Sequence, residues 1–123
     1  MKSLGANAFS GCKALKTATL PEKVTHIKEG LFRNCSKLEQ VQLPEKMKAI
    51  DSLAFKGCSA LKSIVIKGDN CSIAEKAFED CKALVSVKLY GIKEAGSPAF
   101  YNCNIKDLFL SEDSGIDIKK AIK

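Results

Sequence analysis

The sequence predicts an α/β solenoid in which about five units of 23 residues stack on one another. Phenylalanine recurs at a nearly constant interval, and a cysteine follows three residues after each of these phenylalanines. Apolar residues, mostly leucine, isoleucine and valine, keep fixed places in every unit. Self-similarity at a fixed period of a few tens of residues is typical of stacked repeat proteins. The units lie near Phe9, Phe32, Phe55, Phe78 and Phe100.

The composition limits the size and class of the protein. The chain has 123 residues, of which 46% are hydrophobic and 28% charged, so it forms one small domain or part of a larger one. Disordered chains carry fewer apolar residues, and no apolar run here is long enough to span a membrane. The segment Met1 to Ala6 lacks the apolar region of a signal peptide. We therefore expect a cytosolic chain or a segment of a longer exported protein.

The charge of the chain favours a solvated surface over a nucleic-acid interface. Its 20 basic and 14 acidic residues give a net charge of +6 and are interleaved along the sequence. Arg33 is the only arginine, so the bidentate side chains that recognise bases and phosphates are scarce. A net charge of this size permits an anionic partner without establishing one.

The pattern within one unit predicts a short strand followed by a turn and a helix-like segment. Residues 38–43 end in an alternation of apolar and polar side chains, which is typical of a strand. Pro21 and Pro44 follow such strands and end them, because proline has no N–H for a ladder. Residues 24–32 have an apolar spacing close to that of an α- or 3-10 helix.

Stacking allows the units to share one core. A single strand cannot bury its apolar face, whereas coils in register form a continuous interior. The strands then pair as a parallel β-sheet on the concave face, with short helical or 3-10 segments and turns on the convex side. We predict that this solenoid covers residues 1–110. Residues 111–123 leave the register, and Ile118 and Ile122 are spaced as one helix face, so we predict a C-terminal cap or the start of a further element there.

The repeated text resembles the BspA-like type of leucine-rich repeat. That type follows approximately the pattern A-F-x-x-C-x-x-L-x-x-I-x-[LI]-P-x-x-[VL]-x-x-I, and residues 8–27 and 32–50 match it nearly column for column. The third and fourth units depart from it, with Lys67 and Tyr90 in place of the proline. The third unit also has Asn70 where the first two units have an apolar residue.

The resemblance implies a non-enzymatic protein-interaction or adhesion module. Proteins of this family are typically secreted or on the cell surface, and they look like adhesins that bind host or bacterial surface proteins. A protein partner and a surface or secreted location are therefore expected, although a shared fold does not fix a function. Two other hypotheses are a structural spacer within a longer surface protein and anion or nucleic-acid binding through the basic charge.

The cysteines and the single histidine indicate no cofactor, metal or catalytic group. Five of the six cysteines belong to the repeat column, where a free thiol behaves as a small buried hydrophobe. Zinc is disfavoured because the chain has no C-x-x-C pair and His26 is its only histidine. No phosphate-binding loop or nucleophile motif is present in the sequence, so we predict that the protein is not an enzyme. Cys71 lies outside the column, in the predicted turn after the third strand, and we expect it to be the first thiol to react.

The outward-facing residues of the strands form the predicted binding face. Tyr90 and Phe109 fall on adjacent strands, where they are expected to form one aromatic patch of the kind that protein interfaces use as an anchor. The alternative is that Phe109 packs under Ile116 or Ile118 of the tail. The outward columns are Thr17, Gln40, Ser63, Ser86 and Asp107, then Thr19, Gln42, Val65, Lys88 and Phe109, then Pro21, Pro44, Lys67, Tyr90 and Ser111. The residues predicted to bind the partner are Gln40, Gln42, Val65, Lys67, Lys88, Tyr90 and Phe109.

Overall fold

The structure is a computed structural model that describes residues 5–96, 98–112 and 114. These residues form a solenoid of strands and turns in which every strand pairing is parallel. Successive coils of a repeat protein produce this arrangement, since each coil runs in the same direction as the one before it. The strands are β1 (Thr17–Thr19), β2 (His26–Ile27), β3 (Gln40–Gln42), β4 (Met47–Ile50), β5 (Ser63–Ile73), β6 (Ser86–Ala95) and β7 (Asp107–Leu110).

The first ladder of strands carries the outward columns of the predicted concave face, and this side of the solenoid keeps that name below. It consists of β1 with β3, and of the first halves of β5 and β6 with β7. Thr17 lies opposite Gln40, and Ser63 opposite Ser86, which in turn lies opposite Asp107. The outward columns assigned from the sequence therefore agree with the register of the strands.

A second ladder takes the place of the helical segments expected on the convex side. It joins β2, β4 and the second halves of β5 and β6, with Ile27 opposite Ile50 and Ile50 opposite Ile73. The prediction of helical or 3-10 segments is not confirmed, because residues 24–32 form turns and β2 instead. Three of the four residues 24–27 are β-branched and favour an extended backbone, and Gly30 has a φ of 64°, which a right-handed helix does not allow. Among the described residues, no helix has the length and apolar character needed to cross a membrane.

Proline decides how long the concave strands are. β1 and β3 have three residues each and end immediately before the Leu–Pro pairs that contain Pro21 and Pro44. Where Lys67 and Tyr90 replace the proline, the strand continues around the corner into the second ladder, so β5 has 11 residues and β6 has 10. Proline has no N–H to donate to a neighbouring strand, and its replacement permits the longer pairing.

The five repeated phenylalanines form a single stack through the core. Phe9 and Phe32 have ring centroids 5.6 Å apart, and Phe55 and Phe78 have centroids 4.7 Å apart with rings 2° from parallel. The stack continues to Phe100 at 4.9 Å. These separations approach the spacing of neighbouring strands, about 4.8 Å, because each ring rises with its coil. The continuous interior predicted from the repeats is therefore present.

A bulge in β5 moves Cys71 into the core. The register shifts on both sides of Cys71, which lies opposite Ile92 in the unit after, whereas Met47 of the unit before lies opposite Gly68. Asn70, which the 23-residue repeat places in the apolar column of Met47, is exposed with a φ of 54°. Cys71 lies within β5, so the prediction that it lies in a turn is wrong, and its complete burial argues against its being the first thiol to react. Burial raises the pKa of its thiol to about 12.

Left-handed backbone recurs at two positions in the units. The residue before each repeat cysteine always has a positive φ, and so does the residue two before each of the first four repeat phenylalanines. Glycine and asparagine tolerate this conformation best, whereas Leu53 and Lys76 adopt it with a larger steric cost. The first set is Gly11, Asn34, Gly57, Asp80 and Asn102, and the second is Asn7, Gly30, Leu53 and Lys76.

Candidate functional site

The residues predicted to bind a partner are all exposed on the concave side. Strand alternation explains their exposure in β6, where Val87 and Leu89 are fully buried and the intervening side chains point to solvent. Three of the predicted residues are large hydrophobic side chains that remain accessible: Val65 is 42%, Tyr90 37% and Phe109 47% exposed. The structure therefore presents an apolar group on a face whose other members are polar.

The aromatic residues of this face are in contact. The ring centroids of Tyr90 and Phe109 lie 5.2 Å apart with an interplanar angle of 40°, which is a favourable tilted arrangement. Lys88 lies opposite Phe109 in the register, and Val65 lies opposite Lys88. The expected aromatic patch on adjacent strands is confirmed as a geometric feature. The alternative contacts to Ile116 and Ile118 lie outside the described residues.

Gln40 and Gln42 lie apart from this patch, across a groove. Among the described residues, no strand pairing joins β3 to β5, although the second ladder and the phenylalanine stack continue across the same boundary. The first ladder is bonded on either side of the gap, by the Glu39 N–H to the Lys16 carbonyl at 2.7 Å and by the Val85 N–H to the Lys62 carbonyl at 3.0 Å. A groove of about 500 Å³ extends over β1, β3 and the start of β5 and includes this gap. Its lining includes Thr19, Gln40, Gln42, Ser63, Val65 and Lys67.

The sequence did not reveal this groove. The repeat columns continue unbroken from the second unit to the third, so the pattern predicts one uninterrupted sheet. The change from a strand that ends before Pro44 to one that continues through Lys67 lies at the same boundary. That substitution is the sequence signal nearest to the gap.

The cysteines supply internal hydrogen bonds, which raise or lower the pKa of their thiols; the hydrogen bond with Cys81 lowers the pKa of Cys103. All six are free, and four of them donate their thiol to a phenylalanine carbonyl of the preceding coil at 3.0–3.1 Å. Burial raises the pKa of Cys35 to about 11, and hydrogen bonds with the thiols of Cys103 and Cys58, together with burial, raise the pKa of Cys81. A thiol with a raised pKa is a poor nucleophile because the thiolate is the reactive form.

His26 belongs to the second ladder and not to the concave face. It lies opposite Ala49, is exposed, and its Nδ1 is 2.9 Å from the hydroxyl of Thr25. Within the described part of the chain, no group of three or more histidine, cysteine or acidic residues is arranged to hold a metal ion. The candidate functional site is therefore the exposed patch and the adjoining groove.

Comparison with known proteins adds a family and a fold. A family model described as the BspA type leucine rich repeat region matches residues 1–121 in six copies, one more than the five units recognised above. A leucine-rich repeat protein from Bacteroides ovatus has a similar crystal structure, with 34% identity, a TM-score of 0.80 and coverage of 91% of this chain. The chain spans 30% of the length of that protein. A leucine rich repeat protein from T. pallidum is similar at 26% identity and a TM-score of 0.55, covering 76% of this chain and 62% of its own. No curated protein matches the chain.

Proposed function

Because the chain belongs to the BspA-type leucine-rich repeat family, we propose that it is a non-enzymatic module that binds a protein partner through its concave face. Leucine-rich repeat proteins generally serve as protein-interaction modules, and the concave face of this chain exposes a surface suited to a protein partner. We call Val65, Lys67, Lys88, Tyr90 and Phe109 the C-terminal patch. The observation that carries the proposal is the exposed contact between the rings of Tyr90 and Phe109.

The patch has the chemistry of an interface centre. Aromatic side chains are enriched among the residues that contribute most to protein binding, and they work best where a surrounding ring of residues excludes water. Lys67 and Lys88 have apolar stems that can cover the edges of the rings while their ammonium groups stay in water. Gln40 and Gln42, across the groove, would add hydrogen bonds at the rim of the same interface.

The support beneath the patch favours binding at a low entropic cost. Leu89 precedes Tyr90 in β6 and is fully buried, and the pairing of β5, β6 and β7 fixes the relative positions of the three strands. A side chain presented by paired strands loses less freedom on binding than one on a mobile loop. The proposed face is therefore organised before its partner arrives.

The biological role that we propose for this binding module is adhesion at a cell surface. It rests on the resemblance of the repeats to a family whose members are typically secreted or displayed on cells. The partner would then be a host or bacterial surface protein. The location and the identity of the partner both belong to the proposal.

A structural spacer is the second candidate function. Thr17, Thr19, Gln40 and Gln42 make the N-terminal half of the concave face polar, with no large apolar side chain to anchor a partner. A spacer requires only the stability of the stack and no contact through the C-terminal patch. The two functions therefore differ in what they expect when the patch is altered.

Interferometry with immobilised protein tests the proposal. Wild-type protein and a Tyr90→Ala/Phe109→Ala variant are compared against a panel of purified matrix and plasma proteins. We expect at least one partner whose affinity falls tenfold or more in the double variant, because both anchor rings are removed. The matched control is Tyr101→Ala, which removes an aromatic ring that is 46% exposed in a turn outside the concave face and should leave the affinity within twofold.

The same experiment defines the contrary result. If every protein that binds the wild type binds the double variant equally well, the patch is not the interface. If no protein on the panel binds while the chain remains folded by circular dichroism, the spacer function is favoured.

A further inference from the structure

Acidic and basic side chains are concentrated at opposite ends of the concave face. The charged residues of the concave face lie one residue before a concave strand, in its outward columns, or one residue after the column that contains Pro21 and Pro44, and all of them are exposed. Around β1 and β3 there is one lysine against three glutamates: Lys16 with Glu22, Glu39 and Glu45. Around β5, β6 and β7 there are four lysines against two carboxylates: Lys62, Lys67, Lys88 and Lys106 with Asp107 and Glu112. The face is thus acidic at its N-terminal end and basic at its C-terminal end.

Most described lysines of the basic end form no ion pair. Among the described residues, Lys62, Lys88 and Lys106 have no carboxylate within ion-pair distance. Lys67 pairs with Glu45 at 3.7 Å, but the two side chains are 53% and 71% exposed. Exposed pairs of this kind contribute little to stability and exchange partners readily. The lysines of the basic end are therefore available to a ligand.

We propose that the C-terminal patch binds an acidic segment of its partner that carries an apolar or aromatic side chain. This inference rests on the proposed function and adds the chemistry of the partner to it. The apolar side chain packs against Tyr90, Phe109 and Val65, and the flanking carboxylates lie near Lys88 and the lysines at the start of β5 and β7. Excluding water around the rings strengthens the attraction between those charges, since the local dielectric constant falls.

The acidic end of the face argues against a nucleic acid as the ligand. A polyanion long enough to follow the whole face would meet Glu22, Glu39 and Glu45 after leaving the lysines. Lysine also lacks the planar fork with which arginine recognises phosphates and bases. A short acidic segment avoids the glutamates, and the aromatic pair gives it an anchor that a phosphate backbone does not use.

Selection from a random 12-residue peptide display library tests the inference. The library is selected on the wild-type protein and depleted on the Tyr90→Ser/Phe109→Ser variant, and both proteins are first shown to be folded by circular dichroism. We expect the enriched peptides to combine two or more Asp or Glu residues with a Tyr, Phe or Leu. A synthetic copy of an enriched peptide should lose at least tenfold in affinity for Lys88→Glu and should bind more weakly as salt rises.

Lys13→Glu is the matched control, because Lys13 is an exposed lysine in a turn that lies outside the concave face. It makes the same change in net charge and should leave the affinity within twofold. If Lys13→Glu weakens binding as much as Lys88→Glu, general charge attraction accounts for the result and the inference is overturned.

The outcomes separate this inference from the proposed function. Enriched peptides that are neutral or basic, yet fail to bind the double variant, overturn the acidic ligand and leave the concave patch as the interface. If every peptide that binds the wild type before depletion also binds the double variant, both are contradicted. Absence of enrichment above uncoated beads overturns the acidic ligand, and the panel of purified proteins then decides the proposed function.

Discussion

Cys58 donates its thiol proton to the backbone carbonyl of Phe32 in the preceding coil, with Sγ 3.1 Å from the oxygen. The same carbonyl also accepts the N–H of Cys35 within its own turn, at 3.1 Å. Cys35, Cys81 and Cys103 repeat the thiol bond with the phenylalanine of the coil before them. The repeated register of phenylalanine and cysteine thus forms a column of side-chain bonds between coils, beside the backbone ladders.

Loss of one thiol from the middle of this column should be costly. Cys58→Ala removes the bond to Phe32 and leaves a small void, so we expect about 1–3 kcal/mol less stability in urea unfolding. Cys12 is the matched control, since it is half-buried and has no earlier coil in the described structure to receive its thiol. Cys12→Ala should cost less than half as much. Equal losses at both positions would show that the bond between coils contributes nothing.

The position of a phenylalanine in the stack should set its contribution to stability. Phe55 contacts a ring on each side, at 5.4 and 4.7 Å, whereas Phe9 has one neighbour. We expect Phe55→Ala to lower the free energy of unfolding by about 3–5 kcal/mol, and Phe9→Ala by less, because an end unit has only one interface. Urea titrations of both variants measure the difference. A larger loss at Phe9 would contradict the stacked interior.

Glycine at the left-handed positions should resist substitution to different degrees. Gly11 and Gly57 have φ angles of 75° and 76°, so alanine is strained at both. A Cβ at Gly11 would meet nothing, whereas a Cβ at Gly57 would meet the side-chain oxygen of Asn34. We expect Gly11→Ala to cost about 1 kcal/mol and Gly57→Ala about 2 kcal/mol, with thermal melting as the measurement. If the two variants melt at the same temperature, the contact between the new Cβ at position 57 and Asn34 is relieved without cost.

Thiol labelling should follow exposure and not sequence position. Cys12 and Cys103 are half-buried at the two ends of the column, and Cys71 is fully buried with a pKa of about 12. We expect a thiol reagent at neutral pH to modify Cys12 and Cys103 first, with the modified residues identified by peptide mass spectrometry. Rapid modification of Cys71 in the folded protein would mean that the bulge in β5 opens readily.

Alkaline pH should destabilise the fold through Cys71. Its pKa is about 12 in the folded state and 9.0 is the ordinary value, so the folded chain holds a proton that the unfolded chain has lost. The stabilisation from this proton is complete below pH 9 and is lost as the pH rises towards 12, by up to about 1.4 kcal/mol per pH unit. We expect the decline in stability between pH 9 and pH 11 to be shallower in Cys71→Ala than in the wild type. Parallel curves would contradict this assignment.

The sequence predicts the parts of the fold that repeat and fails where a unit departs from the repeat. The spacing of Phe9, Phe32 and the later phenylalanines places the ring stack and the outward columns correctly, because stacking demands one register for all coils. The strand ends at Pro21 and Pro44 follow from the missing N–H. The helical prediction for residues 24–32 failed because a strand and tight turns can bury the same apolar residues as a helix.

Two local features were beyond the repeat pattern. Asn70 is polar and sits in an apolar column, and only the backbone shows that a bulge exposes it and turns Cys71 inward. The gap between β3 and β5 depends on distances between strands, which the spacing of residues along the chain does not contain. For the binding patch, the sequence was sufficient to bring Tyr90 and Phe109 together, because strand register alone determines that contact.

The bulge has a consequence for how such a chain can change during evolution. Ser63 pairs with Ser86, which lies 23 positions later in the chain, whereas Ile73 pairs with Ala95, which lies 22 positions later. The missing residue is absorbed at the corner between the ladders, beside the bulge, while the rings of Phe78 and Phe100 still stack at 4.9 Å. A deletion of one residue is therefore accommodated at this corner without loss of the core stack, and a second one is accommodated in the turn before β7, where Ser86 pairs with Asp107 after a step of 21.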